Sequence, residues 1–256
     1  MDYVAHQAAA VLLVILFGAV LPTTGAYAQV SLCFGKQATI VGTEGDDSIN
    51  GTKKGDVIVG IGGRDVIHGL GGADRICGGD GRLSELFGGK GKDRIAGGPE
   101  TDYMQGGLGN DAFVGGGDSS SGDEDAVIYA NAKRAITADL STGKASGEGR
   151  DTFMSVEALV GSAFADHLAG NAIWANSRTG LDGNDTLVGA GGRFDSLQGN
   201  EGADVLIGSL NDVGGVDNLS GNQGDDKLIG NGTANGTDSD NFVPADGDDT
   251  SIGGDG

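Results

Sequence analysis

Residues 42–114 read GTEGDDSIN, GTKKGDVIV, GIGGRDVIH, GLGGADRIC, GGDGRLSELF, GGKGKDRIA, GGPETDYMQ and GGLGNDAFV. Asp47, Asp56, Asp65 and Asp74 recur every nine residues, and Asp93, Asp102 and Asp111 do so again. Two residues after each aspartate stands an apolar side chain: Ile49, Ile58, Ile67, Ile76, Ile95, Met104 and Phe113. The one ten-residue unit keeps Leu86 in the apolar slot but places Ser84 where the aspartate belongs. Periodicity of this kind is the mark of a repeat architecture.

Each position of the repeat has a physical reading. Glycine reaches positive φ without a steric penalty, so the glycine-rich half can turn tightly and aim its carbonyls inward. The x-apolar-x half forms a short strand whose middle side chain points to one face. Two units complete one coil, so residues eighteen apart stack at the strand spacing of about 4.8 Å. Stacked carboxylates such as Asp47 and Asp65 would repel by about 3.5 kcal/mol at an effective dielectric of 20. A hard divalent cation between them reverses the sign. Calcium suits such a place because it accepts six or more oxygen donors in flexible geometry, whereas magnesium demands a tight octahedron.

A second run follows Gly180, with Asp185, Asp195, Asp204, Asp217 and Asp226, each trailed by a leucine two residues on (Leu187, Leu197, Leu206, Leu219 and Leu228). Its spacing is less regular. Asp240 with Phe242 continues it after the insertion 230–238, and Asp166 with Leu168 fits its phase at the start. Arg178 stands where an apolar residue is expected, so the coil around 171–179 is expected to be irregular. Asp249 takes the ligand phase, but its apolar slot holds Ser251. Since the chain ends on GGDG, the opening of a repeat, either the last turns fray or the natural protein is longer.

These repeats resemble the RTX, or hemolysin-type, calcium-binding family, over about residues 42–114 and 180–229. The opening CFGKQATIVGTEGDDSINGT resembles the start of secreted bacterial proteins built mainly from such repeats. GRDTFMSVEALVGSAFADHLAGN resembles the segment leading into the repeats of serralysin-type modules. The resemblance implies an all-β parallel β-roll with Ca²⁺ bound between turns on both edges. Carried onto this chain, the ligands are Asp47, Asp56, Asp65, Asp74, Asp93, Asp102, Asp111, Asp185, Asp195, Asp204, Asp217 and Asp226. Ser84 and the broken spacing before Asp217 put individual sites in doubt.

Composition agrees with this reading. Glycine supplies 52 of 256 residues, roughly three times the usual share of about 7%, and apolar residues only 38%. A net charge of −21 repels nucleic acid and anionic lipid and calls for cations. Residues 8–21, AAAVLLVILFGAVL, followed by Ala26-Tyr27-Ala28, form the apolar region and cleavage site of a secretory signal peptide, although Lys and Arg are missing before them. Removing residues 1–28 leaves a charge of −20. No other stretch approaches membrane length. Cys33 and Cys77, an even pair in an exported chain, are expected to form a disulfide between the lead-in and the fourth repeat, the alternative being two unpaired thiols.

The expected organisation is therefore a signal peptide (1–28), a lead-in (29–41), a first roll (42–114), a linker and β-rich connector (115–165), and a second, less regular roll (166–256). No catalytic constellation accompanies it. His6 lies in the signal peptide, His68 and His167 occupy repeat positions, and there is no HExxH, GxSxG or phosphate loop. Glu157 and Trp174 read as isolated structural residues. Two functions remain: a secreted calcium-binding structural protein of a surface or matrix, with no protein or glycan partner named by the sequence, or the repeat portion of a larger exported hydrolase or toxin.

Overall fold

A computed structural model describes residues 31–117, 123–172, 176–191, 194–208, 216–230 and 241–252. The signal-peptide stretch, Trp174 and Asp240 lie outside them. Among the described residues there is no helix, and the strands form two large sheets of ten and thirteen strands plus a two-stranded hairpin, Leu32–Cys33 with Lys36–Gln37.

The alternation in the sequence produces this arrangement directly. One nonapeptide contributes a strand to one sheet and the next contributes a strand to the other. Ser48–Asn50 pairs with Val66–His68, and that strand with Glu85–Lys90, all parallel and in register. In the opposite sheet Val57–Ile61 pairs with Arg75–Gly79, and that strand with Arg94–Gly98. The chain is a parallel β-solenoid with one apolar column inside each sheet. Ile49, Ile67, Leu86, Met104, Val127 and Leu159 form one; Ile58, Ile76, Ile95 and Phe113 begin the other. Complete burial of one such side chain stabilises by about 1.5–3 kcal/mol. With one per nonapeptide the core stays narrow.

Both sheets continue through residues 126–169. Ala126–Ile128 and Ala158–Val160 add parallel strands to the ten-stranded sheet. In the other sheet Arg150–Met154 stacks parallel on Ala112–Gly116, then pairs antiparallel with Lys144–Ser146, which pairs antiparallel with Thr137–Asp139. Thr137–Asp139 in turn carries His167–Ala169 in parallel, and the repeat pattern resumes. This meander contributes a fuller core than a nonapeptide does, with Tyr129, Ile136, Ala138 and Val156 buried and Phe153 packed at 5.9 Å from Phe113.

Residues 173–175 of the coil expected to be irregular lie outside the described residues, but the strand that carries Arg178 is regular. Asn176–Asp182 pairs in parallel with Ala158–Val160 on one side and Asp195–Glu201 on the other, aligning Leu159, Arg178 and Leu197 in one column. Backbone hydrogen bonding sets the register, and the arginine follows its neighbours inward. Cys33 and Cys77 are joined by a disulfide with Cα atoms 5.8 Å apart, fastening the hairpin to Arg75–Gly79. Arg94 covers the Phe34 ring at 4.1 Å on the same side.

Candidate metal centres

The aspartate of each repeat sits where the glycine turn enters its strand, and its backbone N–H points along the solenoid axis. That N–H donates to Oδ1 of the aspartate one coil further on. Asp47 donates to Asp65 at 2.9 Å, Asp56 to Asp74 at 2.7 Å, Asp74 to Asp93 at 2.9 Å and Asp93 to Asp111 at 2.8 Å. In the second run Asp185 donates to Asp204, Asp195 to Asp217 and Asp204 to Asp226, at 2.8–2.9 Å. A carboxylate ladder thus follows each edge of the solenoid.

Sequence spacing concealed several members of these ladders. Asp102 donates to Asp125 across 23 positions, and Asp111 to Asp151 across 40. Glu157 is not isolated, because its Oε2 accepts the N–H of Asp125 at 3.1 Å. Asp166 and Asp249, which the repeat phase already picks out, extend the other edge, accepting from Ile136 and Asp226. Ser84 holds its rung by donating its N–H to Asp102, but it brings no carboxylate. His68, by contrast, stacks on Phe87 at 4.6 Å on the sheet's outer side.

The second carboxylate oxygen carries the chemistry. Oδ2 of Asp65, Asp74, Asp93, Asp102, Asp111, Asp185, Asp204 and Asp226 is buried and meets no hydrogen-bond donor. Unsatisfied buried acceptors are costly, and anionic ones most of all. The first coil differs. Thr43 donates its N–H and Oγ1 to Oδ2 of Asp47 at 2.6 and 3.0 Å, and Thr52 does the same for Asp56 at 2.7 and 2.8 Å. In the next two repeats the corresponding positions hold Ile61 and Leu70, which have no hydroxyl.

Main-chain oxygens line the same turns. The carbonyl of Gly72 stands against the Cα of Gly91, and that of Gly91 against Gly109, so closely that a Cβ has no room. Orphaned carboxylate oxygens beside turn carbonyls make a hard, all-oxygen donor set, the kind that fits calcium. Among the described residues no group of three or more His, Cys, Asp or Glu side chains converges, so carbonyls must complete any coordination shell.

Burial also raises the pKa of carboxylates in the ladder. Desolvation pushes Asp111 up to about 7, with Asp151 and Asp93 adding repulsion, and it pushes Asp185 to about 7 and Asp74 and Asp204 to about 6. An unfolded aspartate titrates near 3.8. Protons therefore bind the folded state more tightly than the unfolded one, and their stabilisation is complete below about 3.8 and lost as pH rises through 6–7. With calcium chelated, the β signal in circular dichroism is expected to grow as pH falls from about 8 to about 5. A signal flat across that range would contradict the burial of these acids.

The family model of the RTX calcium-binding nonapeptide repeat (four copies) matches residues 38–53, 51–82, 87–121, 179–212 and 213–236, more than half of the chain. The matched stretches include all twelve in-phase aspartates of the two runs and leave out residues 83–86 around Ser84. No curated protein matches the chain.

Proposed function

The chain belongs to the RTX calcium-binding nonapeptide-repeat family, and from that premise we propose that it is a secreted, non-enzymatic protein of a surface or matrix, with calcium driving its folding. The observation that carries this reading is the set of buried Oδ2 atoms without donors, two to a coil where the repeats are regular. The residues that would hold the ions are the stacked pairs Asp47 with Asp65, Asp56 with Asp74, Asp74 with Asp93, and Asp93 with Asp111. In the second run they are Asp185 with Asp204, Asp204 with Asp226, and Asp195 with Asp217. Asp102 faces Ser84 on one side, which leaves that place one carboxylate short. Bound calcium would supply the positive charge that the ladders lack, held by their carboxylate and carbonyl oxygens.

Export fits the same chemistry. A chain that carries −20 after loss of residues 1–28 and has a narrow core stays open where calcium is scarce, which suits passage through a secretion channel. Outside, extracellular modules commonly bind calcium at about 10⁻⁴–10⁻³ M, and a site at a hundred times its dissociation constant adds about 2.7 kcal/mol. Several sites together decide the equilibrium. Among the described residues no helix is long and apolar enough to cross a membrane.

Circular dichroism and calorimetric titration test the reading. Little β signal is expected in EGTA and a full signal in millimolar CaCl₂. Asp65→Ala and Asp204→Ala, each removing an orphaned carboxylate within a ladder, are expected to raise the calcium midpoint severalfold. Asp139→Ala should leave it unchanged, because Asp139 only accepts hydrogen bonds from Ser141 and Thr142 in a surface turn. A full signal in EGTA, or equal effects of all three substitutions, would overturn the proposal.

A further inference from the structure

The carboxylates in the middle of the solenoid differ from those on either side. Tyr129 donates its hydroxyl to Oδ2 of Asp151 at 2.9 Å. Ser162 donates its N–H to Oδ2 of Asp166 and its Oγ to Oδ1 at 2.9 Å. Asn176 donates both its N–H, at 3.2 Å, and its Nδ2, at 3.1 Å, to Oδ1 of Asp195. Nη1 of Arg178 lies 3.6 Å from that same oxygen, with both side chains fully buried. None of these three carboxylates is among the orphans of the flanking repeats.

Arg178 is the most unusual member. Leu159 and Leu197 hold the neighbouring slots of its column, and none of its guanidinium nitrogens meets a hydrogen-bond acceptor. A buried cation survives only against buried negative charge. Its own coil has given up one such charge, since Asn176 stands in the ladder position that aspartate occupies in regular repeats. One carboxylate and one guanidinium therefore balance where two carboxylates would need a divalent ion. The same stretch has the fuller apolar core, and the family model leaves residues 122–178 unmatched.

We propose that the middle of the solenoid satisfies its own carboxylates at Asp151, Asp166 and the Asn176 side of Asp195, with Arg178 standing where a cation would otherwise be required, and that this segment, as far as Asp182, folds without calcium. The inference rests on the calcium reading of the flanking repeats, which then assemble on this segment from both sides when the ion is supplied. The coil between Asn176 and Asp195 takes no calcium, while Asp195 remains available to the ion on the side of Asp217.

Hydrogen–deuterium exchange of the full chain, read by mass spectrometry in EGTA and in CaCl₂, tests it. Amides of 126–169 and 176–182 are expected to be protected in EGTA and to change little with calcium. Those of 75–116, 205–208 and 216–229 should gain about a hundredfold. Rapid exchange throughout in EGTA would sink this inference alone, whereas protected flanks in EGTA would sink the calcium reading instead. Arg178→Leu is expected to lose the EGTA protection of 176–182, and the pair Arg178→Leu with Asp195→Asn to regain it. If the single variant stays protected, or the double variant is no better than the single, the arginine is not the counter-charge.

Discussion

Gly91→Ala is expected to lower the unfolding free energy of the calcium-saturated protein by about 2–6 kcal/mol. Gly91 has φ of +146°, and a Cβ there would meet the carbonyl of Gly72 in the preceding coil. Because the obstacle is backbone, no rotamer change relieves it. The coils would have to part, breaking the hydrogen bonds from Gly72 to Lys90 and from Gly91 to Leu108. Overpacking commonly costs about 1–3 kcal/mol, and a glycine-only conformation about 1–3 kcal/mol more. Gly35 supplies the comparison, with φ of +71° and nothing within 4 Å of its missing Cβ. Gly35→Ala should cost only the conformational part, about 1–2 kcal/mol. Urea unfolding at saturating calcium measures both. Equal losses would mean that backbone conformation, not the spacing of coils, makes glycine necessary.

Removing the disulfide should have the next largest effect. Cys33 is fully buried, and the bond closes a sequence separation of 44 residues. Loop entropy of that length corresponds to about 4 kcal/mol, against the usual 2–4 kcal/mol. The hairpin it fastens is small, with two residues in each strand. Cys33→Ser with Cys77→Ser is expected to lower stability in calcium by about 2–4 kcal/mol and to expose the first coils to protease. A loss below about 0.5 kcal/mol would show that the contact of Phe34 with Arg94 holds the lead-in unaided.

Most of the fold was legible because the repeat is local. Nine residues state the turn, the strand and the inward side chain, and the missing carboxylate at Ser84 shows as plainly in the sequence as in the ladder. The disulfide was legible from an even cysteine count behind a stretch that reads as a signal peptide. Asp125, Asp151 and Glu157 were not, because they join the ladders across 23, 40 and 32 positions, and no nonapeptide phase links them to their partners. Their membership is a property of stacking in space. Arg178 misled for a related reason: side-chain chemistry suggested a disrupted coil, while parallel backbone pairing on both sides kept the strand in line.

The distances along the chain between hydrogen-bonded rungs also set how the molecule must assemble. Most rungs join residues 18 to 23 positions apart, so each added coil closes a loop of nearly constant length onto an edge already formed. Assembly by such steps resembles a zipper, with a rate that depends little on the number of coils. The step from Asp111 to Asp151 is different, since closing 40 residues instead of 18 costs about 0.7 kcal/mol more entropy. The meander of 137–154 must already be in place to offer Asp151 as a rung. Docking of the first roll on the preformed meander should therefore be its slow step, after which the roll zips outward coil by coil.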